Sequence, residues 1–131
     1  MTQNSPPVSD AELAVLKVLW KSGPGTVREI DVELRKKRRR WAYNTVLTLL
    51  SRLREKGYVA SEKQGVAHLF EATVTREELL KTRLSELADS VCDGTKSPLV
   101  HALVEGSRFS AKEIAELRQL LNKLEDKKKR K

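Results

Sequence analysis

The chain has one cysteine, Cys92, and two histidines, His68 and His101, among 131 residues. A lone cysteine excludes an internal disulfide framework and makes a cytoplasmic location the simplest expectation. Two histidines far apart in sequence and one cysteine also provide no metal-ligand spacing. No apolar run approaches the ~20 residues of a membrane span, and the first residues lack the apolar segment of a signal peptide. No membrane partner is expected. There is no glycine-rich loop to cradle phosphates and no evident nucleophile–base pair, so neither catalysis nor a cofactor is expected. Hydrophobic residues make up 39% and aromatic residues 5% of the chain, which leaves little for a monomeric core of this length. A small domain with an appended oligomerisation element fits that shortage.

What the chain has in excess is positive charge, 26 Lys and Arg against 18 Asp and Glu. The excess is concentrated, with six consecutive cations at 35–40 and five at 127–131. The terminal block reads as a solvated tail. The internal block lies between two helix patterns and directly precedes a third, a placement that favours phosphate contact.

That third pattern, within 38–57, organises the rest. Val46, Leu49, Leu50 and Leu53 recur at i, i+3, i+4, i+7 and form one inward stripe. Asn44, Thr48, Arg52 and Glu55 fall on the opposite face, flanked by Thr45 and Ser51. Small hydroxyl and amide side chains let a helix sit close to another surface, and a surface helix with no task more usually carries Glu and Lys there.

In order, residues 1–8 read as a mobile arm. Ser9 with Glu12 forms a capping box opening a first amphipathic helix that carries Leu13, Leu16, Val18, Leu19 and Trp20. Gly23, Pro24 and Gly25 stop it. Thr26 with Glu29 opens a shorter helix facing Val27, Ile30 and Leu34 inward, and the third helix starts near Ala42 and stops at Gly57. Residues 58–63 and 67–72 then predict two strands around a tip at Gln64-Gly65. Trp41, Tyr43, Tyr58 and Phe70 have two readings, base stacking or packing, of which packing is the commoner. Thr75 with Glu78 and Ser110 with Glu113 give two further capping boxes. Leu80, Leu84, Leu87 and Val91, and later Ile114, Leu117, Leu121 and Leu124, follow the rhythm of a coiled-coil seam. Between them Gly94 and Pro98 interrupt, and Leu99, Val100, Leu103 and Val104 suggest a compact helix ending near Gly106. Cys92, at the end of a seam helix, reads as a small buried hydrophobe rather than a redox sensor.

The expected fold is therefore mainly α: a winged helix-turn-helix of three helices and a β-hairpin over 9–73, a helical dimerisation domain over 74–126, and a basic tail over 127–131. The seam helices are expected to pair two copies of the chain. The base-reading candidates are Asn44, Thr45, Thr48 and Arg52, with Asn suited to adenine and Arg to guanine. Arg38, Arg39, Arg40 and Lys63 are the phosphate candidates. Leu47 borders the polar face, where a thymine methyl and the wing are equal alternatives. A symmetric dimer would place two such helices about 34 Å apart, or a multiple of that, and so prefer a palindromic operator in double-stranded DNA. The rival function is a winged helix used for protein docking and assembly.

The run Trp41-Ala42-Tyr43-Asn44-Thr45-Val46-Leu47-Thr48-Leu49-Leu50-Ser51-Arg52-Leu53, with Lys56-Gly57 after it, resembles the signature of the penicillinase-repressor (BlaI/MecI-type) regulators. The first helix, ending in Trp20, and Glu113-Ile114-Ala115-Glu116-Leu117 resemble that family's first and last helices. The resemblance implies a winged-helix repressor that dimerises through its C-terminal helices and binds dyad operators, often before β-lactamase, methicillin-resistance or copper-homeostasis genes. Three departures stand out. Val66 follows Gly65 where antibiotic-responsive members commonly carry a basic residue, which implies a weaker wing contact. Ala102-Leu103 stands where those members carry a cleavable Asn-Phe bond, and the cysteine-rich metal site of the copper-responsive branch has no counterpart. The releasing signal, whether a sensor protease or another partner, stays open.

Overall fold

The computed structural model describes residues 6–129. Residues 1–5 of the expected arm and 130–131 of the expected tail lie outside the described residues. In chain order the elements are α1 (Asp10–Ser22), α2 (Val27–Lys36), α3 (Tyr43–Glu55), β1 (Val59–Gln64), β2 (Ala67–Ala72), α4 (Arg76–Val91), α5 (Ser97–Glu105) and α6 (Ala111–Lys129). Two compact units divide the chain at Glu86 and Leu87, within α4. Among the described residues no helix is long and apolar enough to cross a membrane.

In the first unit, α1 and α2 start as their sequences dictate. Both capping boxes are complete, Ser9 with Glu12 and Thr26 with Glu29, each pair satisfying two backbone N–H groups at a helix start. The inward stripes of the three helices meet in one core. Val15, Leu16, Ile30, Leu34, Val46, Leu50 and Leu53 are almost wholly buried there, with Tyr58 and Phe70 contributed by the hairpin region. α3 ends in a turn closed by two backbone bonds, Tyr58 N–H to the Leu53 carbonyl at 2.9 Å and Gly57 N–H to that of Arg54 at 3.0 Å. Gly57 takes φ 87° there, a left-handed conformation that glycine adopts without a Cβ penalty.

The wing is an antiparallel pair, with Val59 opposite Ala72 and Gln64 opposite Ala67. Its tip is therefore Gly65-Val66, one residue later than expected, because Gln64 still pairs in the ladder. Gly65 supplies the positive φ of 63° that a tight hairpin turn needs. Gly25 adds a short third edge, exchanging both backbone hydrogen bonds with Phe70 at 2.8 and 2.9 Å. Trp20 then fixes the chain leaving the wing: its indole N–H donates to the Val74 carbonyl at 2.8 Å. Leu79 of α4 is buried on the same core.

In the second unit, α5 carries Pro98 inside its first turn, where the missing N–H costs nothing, so Pro98 belongs to the helix rather than interrupting it. Ser110 and Glu113 form a complete capping box before α6. At the start of α4, by contrast, only the half from Glu78 N–H to Thr75 Oγ1 is formed among the described residues. Cys92 is half-buried rather than a core residue.

Candidate nucleic-acid interface

The six-cation block is divided by where α2 stops. Arg35 and Lys36 lie on the helix and are engaged along it, Arg35 Nε to Asp31 Oδ2 at 3.1 Å and Lys36 Nζ to Glu33 Oε2 at 2.9 Å. The Lys36 bond holds the Glu33 carboxyl below the ordinary carboxylate range, with Lys36, Lys21 and Lys37 adding through-space attraction. The helix then closes with the same two-bond turn that ends α3. Arg39 N–H donates to the Leu34 carbonyl at 2.9 Å and Arg38 N–H to that of Arg35 at 3.0 Å. The left-handed position of this motif normally holds glycine, yet here Arg38 occupies it at φ 63°. An L-residue in that conformation costs about 1 kcal/mol.

The turn leaves Arg38, Arg39 and Arg40 exposed. The Arg39 guanidinium lies 5.5 Å from the centre of the half-buried Trp41 ring, which steadies it without neutralising it. Arg38 and Arg40 have no ion-pair partner among the described residues. Lys63 is exposed on β1 opposite His68, one residue short of the last pair before the tip.

α3 presents the expected reading residues together. Asn44, Thr45, Thr48 and Arg52 are all exposed and, at helical spacing, share an arc of about 100° opposite the buried stripe. Thr48 Oγ1 donates to the Asn44 carbonyl at 2.8 Å, so its hydroxyl proton is committed and its oxygen and methyl remain for a partner. Arg54, on the wing side, donates to Ser61 Oγ at 3.1 Å and ties the helix to β1. Of the four aromatic candidates, Tyr58 and Phe70 are core and Trp41 packs on its edge, whereas Tyr43 is exposed on the first turn of α3.

The helix is held by contacts that periodicity does not show. Glu12, 2% exposed, takes both a capping role with Ser9 and an ion pair with Lys56 at 2.7 Å. Burial raises the Glu12 pKa. The Lys56 hydrogen bond and those from the Ser9 backbone and hydroxyl outweigh it, and the carboxyl titrates below its ordinary range. Lys56 Nζ also donates to the Pro7 carbonyl at 2.7 Å, and Tyr58 Oη to that of Pro6 at 2.6 Å, so residues 6–8 are pinned to the domain. The signal for the ion pair was present in sequence only as a capping glutamate and an unpaired lysine.

The seam residues stand uncovered. Leu80, Leu84, Leu87 and Val91 on α4 are between 44% and 69% exposed, and Ile114, Leu117, Leu121 and Leu124 on α6 between 39% and 61%. Val100, Leu103 and Val104 on α5 are exposed as well. Among the described residues, no group of three or more His, Cys, Asp or Glu is placed to hold a metal ion.

The penicillinase repressor family pattern matches residues 8–123. The penicillinase repressor of Bacillus licheniformis is 31% identical over 124 residues, covering 95% of this chain and 96% of that protein. The transcriptional regulator BlaI of Mycobacterium tuberculosis is 34% identical over 120 residues, covering 90% of this chain and 85% of its own. Among solved structures, the DNA-binding domain of the repressor BlaI superposes with a TM-score of 0.51 at 32% identity, over 59% of this chain and 93% of that one. The family pattern over 8–123 and these relatives place the chain in the penicillinase repressor family of winged-helix transcriptional repressors.

Proposed function

We propose that the chain is a homodimeric repressor that binds a palindromic operator in double-stranded DNA through α3, acting in the cytoplasm by occupancy rather than catalysis. The observation that carries this reading is the exposed polar arc of Asn44, Thr45, Thr48 and Arg52 directly after a turn that projects Arg38, Arg39 and Arg40. Those arginines and Lys63 neutralise phosphates and set the register of the helix on the duplex; the arc reads base edges. Val66 at the wing tip offers no charge, so more of the binding rests on α3 than on the wing.

Dimerisation is supported by the uncovered apolar rows of α4 and α6, too long to remain in water on a monomer. Their pairing places two copies of α3 on one face of the duplex. Residues 9–73 carry the reading module and 74–126 the dimerisation helices.

The test is a gel shift with the full chain on random duplex and on DNA upstream of its own gene, at low and high salt. Tighter binding to the upstream DNA, weakening steeply with salt, supports the reading. Binding that ignores salt, or none at low salt, refutes it and leaves protein docking as the use of the winged helix.

A further inference from the structure

Tyr43 and Leu47 have no place in the core or in the polar arc. They are 51% and 36% exposed, while the buried stripe of α3 is already complete in Val46, Leu49, Leu50 and Leu53, each at 5% or less. Residues four apart on a helix are neighbours, so the tyrosine ring and the leucine form one apolar edge over the first two turns of α3. Thr48 extends it. Its hydroxyl proton is given to the Asn44 carbonyl, which leaves its acceptor oxygen and its methyl for a partner.

Two surfaces compete to cover this edge. The wing meets α3 at Arg54 and Ser61, and Arg54 lies seven residues beyond Leu47 on the same flank. That tie is made near the C-terminal end of α3 and leaves Leu47 exposed. The other surface is the one approached by Arg38, Arg39 and Arg40, and the apolar edge is continuous with the arc that faces it. In the major groove the apolar feature is the C5-methyl of thymine.

We infer that Tyr43 and Leu47, with the Thr48 methyl, determine specificity by recognising thymine C5-methyl groups in the operator half-site. This rests on the proposal that α3 reads DNA, and adds which chemical group of the base its edge selects. Asn44 and Arg52 then discriminate by hydrogen bonds at neighbouring steps, and the apolar edge favours thymine over cytosine where no hydrogen bond is made.

The experiment uses the full chain and a random library of about 30 base pairs, long enough for a dimer spanning two or more turns. The duplex it selects is then remade with deoxyuridine replacing each thymine in turn, which removes only the methyl. The wild type should lose about 3- to 5-fold in affinity at one or two positions per half-site, the range set by burying a single methyl. Leu47→Ala and Tyr43→Ala should bind thymine and uracil duplexes alike at those positions, and their thermal midpoints should match the wild type because both side chains are exposed. If the wild type binds the selected duplex but ignores every substitution, the inference is wrong. It is equally overturned if Leu47→Ala weakens thymine, uracil and random duplexes by one common factor, which would place Leu47 against the wing. Failure to select any duplex would instead remove the DNA reading itself, and this inference with it.

Discussion

Replacing Lys56 with alanine probes the joint that fixes α3 to the start of α1. The substitution strips the Glu12 carboxylate, 2% exposed in the wild type, of its 2.7 Å partner and also releases the Pro7 carbonyl. Removing one member of a buried ion pair typically costs 3–5 kcal/mol. Here the lysine side chain retains 28% exposure and the Ser9 N–H still donates to the carboxyl, so a loss of about 2–4 kcal/mol is expected. Against a total stability of roughly 5–15 kcal/mol that is a large fraction. Urea unfolding followed by circular dichroism, at one fixed protein concentration, reads it as a lowered midpoint with unchanged slope. The pH dependence gives an independent check. The Glu12 pKa is lowered in the folded state from an ordinary value near 4.5, so the unfolded chain binds more protons in this window. Its contribution is fully present above that ordinary value and is lost as pH falls through the folded pKa. The stability gap between wild type and Glu12→Gln should therefore be widest near neutrality and shrink below about pH 4.5. A Lys56→Ala protein within 0.5 kcal/mol of wild type by this assay, or a gap that does not change with pH, would show that the Glu12–Lys56 pair does not hold this joint.

Arg38→Gly should raise the unfolding midpoint by about 0.5–1 kcal/mol equivalent, since glycine relieves the left-handed residue, yet weaken DNA binding by removing a phosphate contact. Loss of stability would show that the arginine side chain supports the turn instead. The four proposed phosphate contacts per protomer, eight in the proposed dimer, imply a slope of log affinity against log salt near −7, or about 10⁴-fold between 50 and 200 mM. Arg39→Ala should flatten it by about 2 in a fluorescence-anisotropy titration. Leu121→Glu places a carboxylate in the α6 row and should give a monomer by light scattering while leaving the winged-helix core intact; a dimer of undiminished affinity would remove the seam from the account. Leu50→Ala, at a fully buried position in the core of the three helices, should cost about 2–5 kcal/mol of stability.

The helices were legible in the sequence because their signals are local. Capping boxes at Ser9, Thr26 and Ser110 and the stripe from Val46 to Leu53 each involve residues within two turns of one another. The hairpin tip was displaced by one residue because Gln64 and Gly65 are both acceptable at a turn, and only the pairing register of Gln64 with Ala67 decides between them. The Glu12–Lys56 pair and the Trp20–Val74 bond join positions 44 and 54 residues apart, and nothing local encodes such contacts. The division of the basic block was hidden for a related reason. Lys and Arg are acceptable helix formers, so composition does not show that α2 stops at Lys36 and that Arg38 adopts a conformation ordinarily left to glycine.

In the proposed mechanism α3 reads sequence while the arginine turn supplies affinity without reading. The mechanism is tested most directly by measuring wild type, Arg52→Ala and Arg39→Ala on the selected operator and on random duplex, at one salt concentration. Arg52→Ala should lose about 1–3 kcal/mol on the operator and almost nothing on random DNA, whereas Arg39→Ala should lose the same factor on both. If the two variants lose specific and random binding in equal measure, α3 does not read sequence as described.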